Sequence, residues 1–241
     1  MTTVNSSGSA AGRVLIVEDE RALATMIAAY LSRAGFETSA VHTGGEAVAA
    51  VRDQLPDVVI LDLGLPGVDG IEVCRQIRTF SDCYVLIATA RKGEIDTLIG
   101  LSVGADDYIV KPFSARELVA RVQTVLRRPR TGKRADDHAG EPALVFGELS
   151  VDPAGRQVQL AGAAVPLTPT EREMLIVLAA RPALAFTRRQ LIDAVWGSEW
   201  VGDERMVDVH VANLRKKLGD DPASARYVTT VRGVGYRMGQ G

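Results

Sequence analysis

Apolar and polar positions change rhythm twice along this chain. Between residues 13 and 128, short apolar runs alternate with stretches of helical period. Val14-Leu15-Ile16-Val17 is too short for a helix and rich in β-branched side chains, so it predicts a buried strand. Arg21 to Ala34 then places Leu23, Ile27, Tyr30 and Leu31 at the spacing of one helix face, and Gly35 stops the helix. The cycle repeats. Strands are predicted near 37–41, 57–61, 83–88 and 106–110, and helices near 44–54, 69–79, 94–103 and 114–128. Five such units predict an α/β domain with a doubly wound, five-stranded parallel sheet of flavodoxin-like kind, because parallel strands need crossovers and right-handed ones dominate. In such sheets ligands bind at the carboxyl ends of the strands.

The second change comes at residues 129–142, a polar, proline-bounded stretch without apolar period that reads as a linker. Beyond it, 143–167 shows short alternating segments broken by Asp152-Pro153-Ala154-Gly155 and Ala161-Gly162, the pattern of a small antiparallel sheet. Helical stretches follow near 168–180, 187–195 and 204–218. A hairpin over Tyr227–Met238 turns at Arg232-Gly233-Val234-Gly235. Three helices and a terminal hairpin suit a winged helix-turn-helix α+β domain over 143–239. Residues 1–12 are small and polar, without the basic start and apolar middle of a secretory signal, and read as a disordered tail on a cytoplasmic protein.

Composition narrows the classes. Hydrophobic residues make up 46% and charged residues 24%, enough for real cores. No apolar run reaches membrane-spanning length. Cys74 and Cys83 sit among apolar residues and read as small buried thiols, and the three histidines lack zinc-ligand spacing. Net charge is −2, but it is unevenly spread. Residues 13–128 carry 13 basic and 16 acidic side chains, whereas 205–237 carry 7 basic and 3 acidic, which points to two different partners.

Candidate chemistry gathers at the predicted strand ends. The first strand ends in Glu18-Asp19, the third in Asp62, and the fifth is followed by Lys111-Pro112. In a parallel sheet these ends share one edge, so three carboxylates and an amine should converge. Clustered carboxylates need a cation, and hard oxygen donors without imidazole or thiolate suit Mg²⁺. A carboxylate can also attack a phosphoryl group, whose oxygens a metal and a lysine would then hold.

These residues lie in Val14-Leu15-Ile16-Val17-Glu18-Asp19-Glu20, Leu61-Asp62-Leu63-Gly64-Leu65-Pro66-Gly67-Val68-Asp69-Gly70, Ala88-Thr89-Ala90 and Gly104-Ala105-Asp106-Asp107-Tyr108-Ile109-Val110-Lys111-Pro112-Phe113. Together they resemble the receiver motifs of OmpR/PhoB-type two-component response regulators, and the similarity runs through nearly all of 13–241. The resemblance implies that Asp62 accepts phosphate from a sensor histidine kinase. It implies Mg²⁺ on Asp19, Asp62 and the Gly64 carbonyl, with Glu18 acting directly or through water. Thr89 and Lys111 would hold phosphoryl oxygens, Tyr108 would reorient on activation, and the Lys111–Pro112 bond would be cis. It also implies a receiver homodimer on phosphorylation, through a face that here carries Asp106, Asp107, Glu117 and Arg121. Two charged positions expected on that face are Thr97 and Val103 instead, which weakens the match.

The helix predicted over 204–218 has an apolar stripe at Val207, Val211, Leu214 and Leu218. Its other side offers Arg205, Met206, Val209, Ala212, Asn213 and Lys216, a mixture suited to a major groove. Val228–Arg237 resembles the family's wing, which implies that Thr230, Arg232 and Arg237 meet DNA, with Arg232 at a minor groove. Many relatives have arginine where this chain has Asn213, and asparagine pairs with adenine. Lys216, Lys217 and Arg237 read as phosphate contacts, and Arg215 as the ion-pair partner of Asp208. The 197–203 loop can meet RNA polymerase in this family, with Trp200 either an exposed anchor or packed. The expected function is phosphorylation-dependent, sequence-specific binding of promoter DNA, with a phosphorylation-independent regulator as the alternative. A catalytic aspartyl phosphotransferase is disfavoured, because Leu63 and Gly64 follow Asp62 where a second acid would be needed.

Overall fold

The computed structural model describes residues 12–90, 100–126 and 142–241. Its first sheet is parallel throughout and ordered β2-β1-β3-β4-β5, from β1 (Arg13–Val17), β2 (Glu37–Val41), β3 (Val58–Leu61), β4 (Tyr84–Thr89) and β5 (Asp107–Val110). Alternation along the central strands feeds two cores. Val14 and Ile16 join α1 (Arg21–Arg33) and α4 (Ala115–Leu126) on one face through Ile27, Leu31, Leu118 and Val122. Leu15 and Val17 join α2 (Gly44–Gln54) and α3 (Gly70–Arg78) on the other through Ala47, Val51, Val73 and Ile77. Because both faces are covered, β3 and β4 are buried at every position. Cys74 and Cys83 are buried free thiols within the second core.

The second domain opens with an antiparallel sheet of β6 (Leu144–Phe146), β7 (Leu149–Asp152), β8 (Gln157–Leu160) and β9 (Ala163–Ala164). Then come α5 (Pro169–Ala180), α6 (Arg188–Val195) and α7 (Met206–Leu218). Helix α5 starts where the sequence signals it: the Thr168 hydroxyl accepts from Glu171 N, the Glu171 carboxylate accepts from Thr168 N, and Pro169 occupies the first turn. The wing strands β11 (Val228–Val231) and β12 (Gly235–Met238) are joined through Gly233, whose φ of +77° suits glycine. A two-residue strand, β10 (Phe186–Thr187), pairs with β12 and makes the wing three-stranded. Two residues carry no readable period, so this strand was not expected.

Of the sequence expectations, residues 1–11, most of the linker, and the helix near 94–103 up to residue 99, with Thr97, lie outside the described residues. Among the described residues no helix is long and apolar enough to cross a membrane. The core on the α2–α3 face is continuous with the core of the second domain, so the two domains are packed together.

Candidate functional site

The carboxyl edge of the parallel sheet brings the predicted acids together. Glu18 and Asp19 follow β1, Asp62 follows β3, and one carboxylate oxygen from each lies within 4.8 Å of the others. Lys111, just past β5, reaches across with Nζ 2.6 Å from Glu18 Oε2 and 2.7 Å from Asp62 Oδ2. The Lys111–Pro112 bond is cis. Asp62 Oδ1 accepts from Gly64 N at 3.0 Å, so the loop after β3 wraps the acid. Gly70 keeps that loop tight: a Cβ there would sit 2.3 Å from the Asp62 carbonyl oxygen. Glu18 and Asp62 are buried and Asp19 is exposed, so the pocket opens on one side. Thr89, at the end of β4, is buried at the same edge.

The electrostatics follow from burial and crowding. Burial lifts the Glu18 carboxyl above its usual range, Asp62 and Asp19 add to the lift, and Lys111 opposes it. Burial works against the Lys111 ammonium, but hydrogen bonds and charge from Asp62 and Glu18 outweigh it and raise its pKa. Three acids with hard oxygen donors, one reachable from solvent, fit Mg²⁺. One amine among them leaves a net negative pocket that a divalent cation would complete.

A second polar array joins the two domains. Asp106 Oδ1 accepts from Thr170 N at 3.0 Å, so the receiver supplies a cap to the first turn of α5. The same carboxylate is held from below by Arg78 and by Val85 N. Asp107 pairs with Arg121 at 3.0 Å and accepts from Trp200 Nε1 at 3.2 Å. Arg121 also donates to the Val201 carbonyl at 2.7 Å and pairs with Glu117 at 3.0 Å. The Tyr108 phenol oxygen accepts from Asp203 N at 2.8 Å, and its ring meets Trp200 edge-on at 6.5 Å. Burial pushes the Tyr108 phenol up, against the pull of the Asp203 bond. Finally, Asn213 Nδ2 donates to the Leu101 carbonyl at 3.0 Å. Asp106, Asp107, Glu117 and Arg121, read from the sequence as a dimer face, here bond within the chain.

The expected DNA-reading residues divide. The core stripe Val207, Val211, Leu214 and Leu218 is buried as expected. Lys216, Arg232 and Arg237 are exposed, and Val209 is half-buried. Arg205 is exposed but paired with Asp203 at 2.8 Å, Asn213 faces the receiver, and Lys217 is held by the buried Glu171 at 2.6 Å. Trp200 is packed, 6% exposed, which decides between its two readings for this form of the protein. One expectation is corrected. Arg215 does not pair with Asp208: it donates to the Val228 carbonyl and Thr230 Oγ1, while Asp208 pairs with Arg188 and accepts from the Tyr236 hydroxyl. Seven residues along a helix are about 10.5 Å apart, beyond the three- or four-residue spacing that brings side chains together. The seam itself was missed from sequence, and its one local signal was the even choice left at Trp200.

A parallel sheet with an acid pocket on its carboxyl edge, docked to a winged helix, defines a two-domain phosphoryl-controlled regulator. Residues 14–123 match the response regulator receiver domain, and residues 162–238 match the family described as transcriptional regulatory protein, C terminal. The chain belongs to the OmpR/PhoB-type two-component response regulators. It is 42% identical over 229 residues to the DNA-binding response regulator MtrA of Mycolicibacterium smegmatis, covering 94% of this chain and 96% of that one. It is 44% identical to the sensory transduction protein RegX3 of the same organism, covering 93% and 98%. Among solved structures, a RitR point mutant superimposes with a TM-score of 0.73 at 26% identity, covering 95% and 99%. DrrB, an OmpR/PhoB homologue of Thermotoga maritima, gives 0.50 at 30% identity, covering 94% and 98%. The chain is thus a phosphorylation-dependent, sequence-specific DNA-binding transcriptional regulator, and its two domains imply a cognate sensor kinase and promoter DNA.

Proposed function

We propose that Asp62 is the phosphoacceptor and that its phosphorylation opens the seam between the domains. The observation that carries this reading is the Tyr108 hydroxyl, 2.8 Å from Asp203 N: the residue at the switch position is held by the output domain. Glu18, Asp19, Asp62 and the Gly64 carbonyl are the donors that would hold Mg²⁺, which when bound offsets charge on phosphoryl oxygens. Lys111 exchanges a carboxylate partner for a phosphoryl oxygen, and the Thr89 hydroxyl donates to another. Drawing Thr89 toward the pocket vacates space for the Tyr108 ring, which then leaves Asp203. Converting a 1:99 population to 99:1 takes about 5.5 kcal/mol, and charged hydrogen bonds contribute about 1.5–3 kcal/mol each. About two to four bonds made only in the open form are therefore enough.

Opening frees Asp106, Asp107, Glu117 and Arg121 to meet a second receiver. It also frees α7 for the major groove, with Asn213 at adenine, Arg205 and Val209 beside it, and Lys216 on phosphate. Thr230 and Arg237 follow from the wing strands, and Arg232 enters a minor groove. The 197–203 loop, with Val201 77% exposed, becomes available to RNA polymerase once Trp200 leaves the receiver. These events belong in the cytoplasm, where kinase and promoter meet. The test pairs intact mass with DNA affinity, using a small phosphodonor and Mg²⁺. Wild type should gain one phosphoryl group and bind DNA more tightly, and Asp62→Asn should do neither. A mass shift in Asp62→Asn refutes the acceptor, and a phosphorylated wild type with unchanged DNA affinity refutes the opening.

A further inference from the structure

Helix α7 carries one buried group that neither the acid pocket nor the reading of DNA uses. His210 is 1% exposed, and neither ring nitrogen has a hydrogen-bond partner. Buried polar side-chain atoms usually have one. The ring lies 5.5 Å from Trp196, tilted by 41°. From the receiver, the Asp106 backbone carbonyl faces it without closing a bond, and that carbonyl already accepts from Thr170 Oγ1 at 3.4 Å. His210 is therefore lodged at the seam, one turn from Asn213 and its bond to Leu101.

The charges around the ring are already matched. Glu171, fully buried on α5, is held by Lys217 of α7 at 2.6 Å. Asp106, fully buried ahead of β5, is held by Arg78 of α3 at 2.5 Å. A third positive charge would be buried beside acids whose charges are already matched, with only Glu171 Oε1, buried and without a hydrogen-bond partner, left to meet it. Burial accordingly holds the imidazole below the ordinary histidine value, although Glu171 and Asp106 pull the other way and Lys217 adds to the depression.

We propose that His210 is a proton-operated release for the recognition helix: transfer of one proton from solvent to its ring favours the parting of the domains and leaves a cation one turn from Asn213. This rests on the reading that the closed seam restrains DNA binding. Once open, the imidazole meets water and titrates near its ordinary value, about 6.5. The closed form is then fully favoured above about pH 6.5. Below that it loses ground by up to about tenfold per pH unit, until the depressed closed-state value is reached. Acid thus acts in the same direction as phosphorylation, without using Asp62.

The test is small-angle scattering on the unphosphorylated full chain at about pH 8 and about pH 5.5, on either side of the ordinary histidine value. The beryllofluoride-treated protein at the higher pH serves as the open reference. Wild type should show an open fraction at the lower pH raised by up to about tenfold over that at the higher, and His210→Gln should show no such rise. Equal expansion of the two proteins in acid, or no expansion of wild type, overturns the proposal. If the beryllofluoride-treated wild type stays compact with unchanged DNA affinity, the closed-to-open reading itself has failed. Should His210→Gln not fold, proton counting on wild type decides. Beryllofluoride activation near pH 6, in two buffers of different ionisation enthalpy, should take up as much as about one proton. Zero uptake overturns the proposal.

Discussion

The acid pocket and the seam are both assembled from buried charge, but different constraints bring their residues together. In the pocket, Glu18, Asp62 and Lys111 come from three strand ends of one sheet, and the parallel register leaves them nowhere else to go. At the seam, Asp106, Asp107 and Tyr108 form one consecutive segment, and their partners Thr170, Trp200 and Asp203 come from a domain with its own fold. The pocket is fixed by topology and persists in any state of the receiver. The seam is a set of bonds that can be exchanged for water, for a second receiver or for DNA. A switch needs both: a rigid place to add charge, and a surface whose attachment is only marginally favourable.

The largest expected effect lies where the receiver's own core meets the seam. Arg78 is 2.5 Å from Asp106, whose other carboxylate oxygen caps α5. Arg78→Met leaves the Asp106 charge buried without its cation. Breaking such a pair destabilises by about 3–5 kcal/mol. Chemical denaturation of the full chain should show the receiver transition shifted by that amount. Asp106→Leu added to Arg78→Met should recover much of the loss, because replacing both partners removes the stranded charge. A loss below about 1 kcal/mol would mean that Asp106 is adequately held by Val85 N and Thr170 N without the guanidinium.

Next in size is a change confined to the seam. Trp200 is buried against Tyr108 and Arg121 and donates to Asp107. Trp200→Ala removes an indole worth about 3 kcal/mol when buried, which is roughly a hundredfold in the closed-to-open ratio. The unphosphorylated variant should bind DNA nearly as tightly as phosphorylated wild type, while still taking up phosphate at Asp62. Unchanged affinity in titrations would show that the docked arrangement does not restrain the recognition helix. Loss of phosphate uptake would show that the pocket is not independent of the seam.

The same division explains what could be read from the sequence. Strand positions, the five-stranded parallel sheet and the convergence at positions 18, 62 and 111 follow from hydrophobic period and the rules of parallel sheets, so they were legible. Helix α7 was legible as a helix, and its core stripe was placed correctly, because burial within a domain obeys a 3.6-residue period. Nothing local announces that Asn213 will reach the Leu101 carbonyl, or that Lys217 will be captured by Glu171. The first depends on how two finished domain surfaces dock and the second on another helix of the same domain packed across α7, with partners 112 and 46 positions away. The Arg215 assignment failed for a related reason: the helix was read by itself, and the partners at Val228 and Thr230 belong to a strand packed across it.

The smallest effect is also the one that best separates the two roles of a single side chain. Asn213 donates one hydrogen bond across the seam, and such bonds contribute about 0.5–1.5 kcal/mol. Asn213→Ala should therefore raise the open fraction of the unphosphorylated protein by about two- to tenfold. If the same amide reads adenine, the variant also loses about 1–3 kcal/mol of discrimination at one base position. The two effects oppose each other in bulk affinity, so affinity for a single promoter is a poor measure. A selected-site experiment on the phosphorylated protein removes the seam from the comparison. There Asn213→Ala should relax one position, and Asn213→Arg should move its preference toward guanine. A selected motif unaltered by either substitution would leave Asn213 as a seam residue and shift base reading to its neighbours on α7.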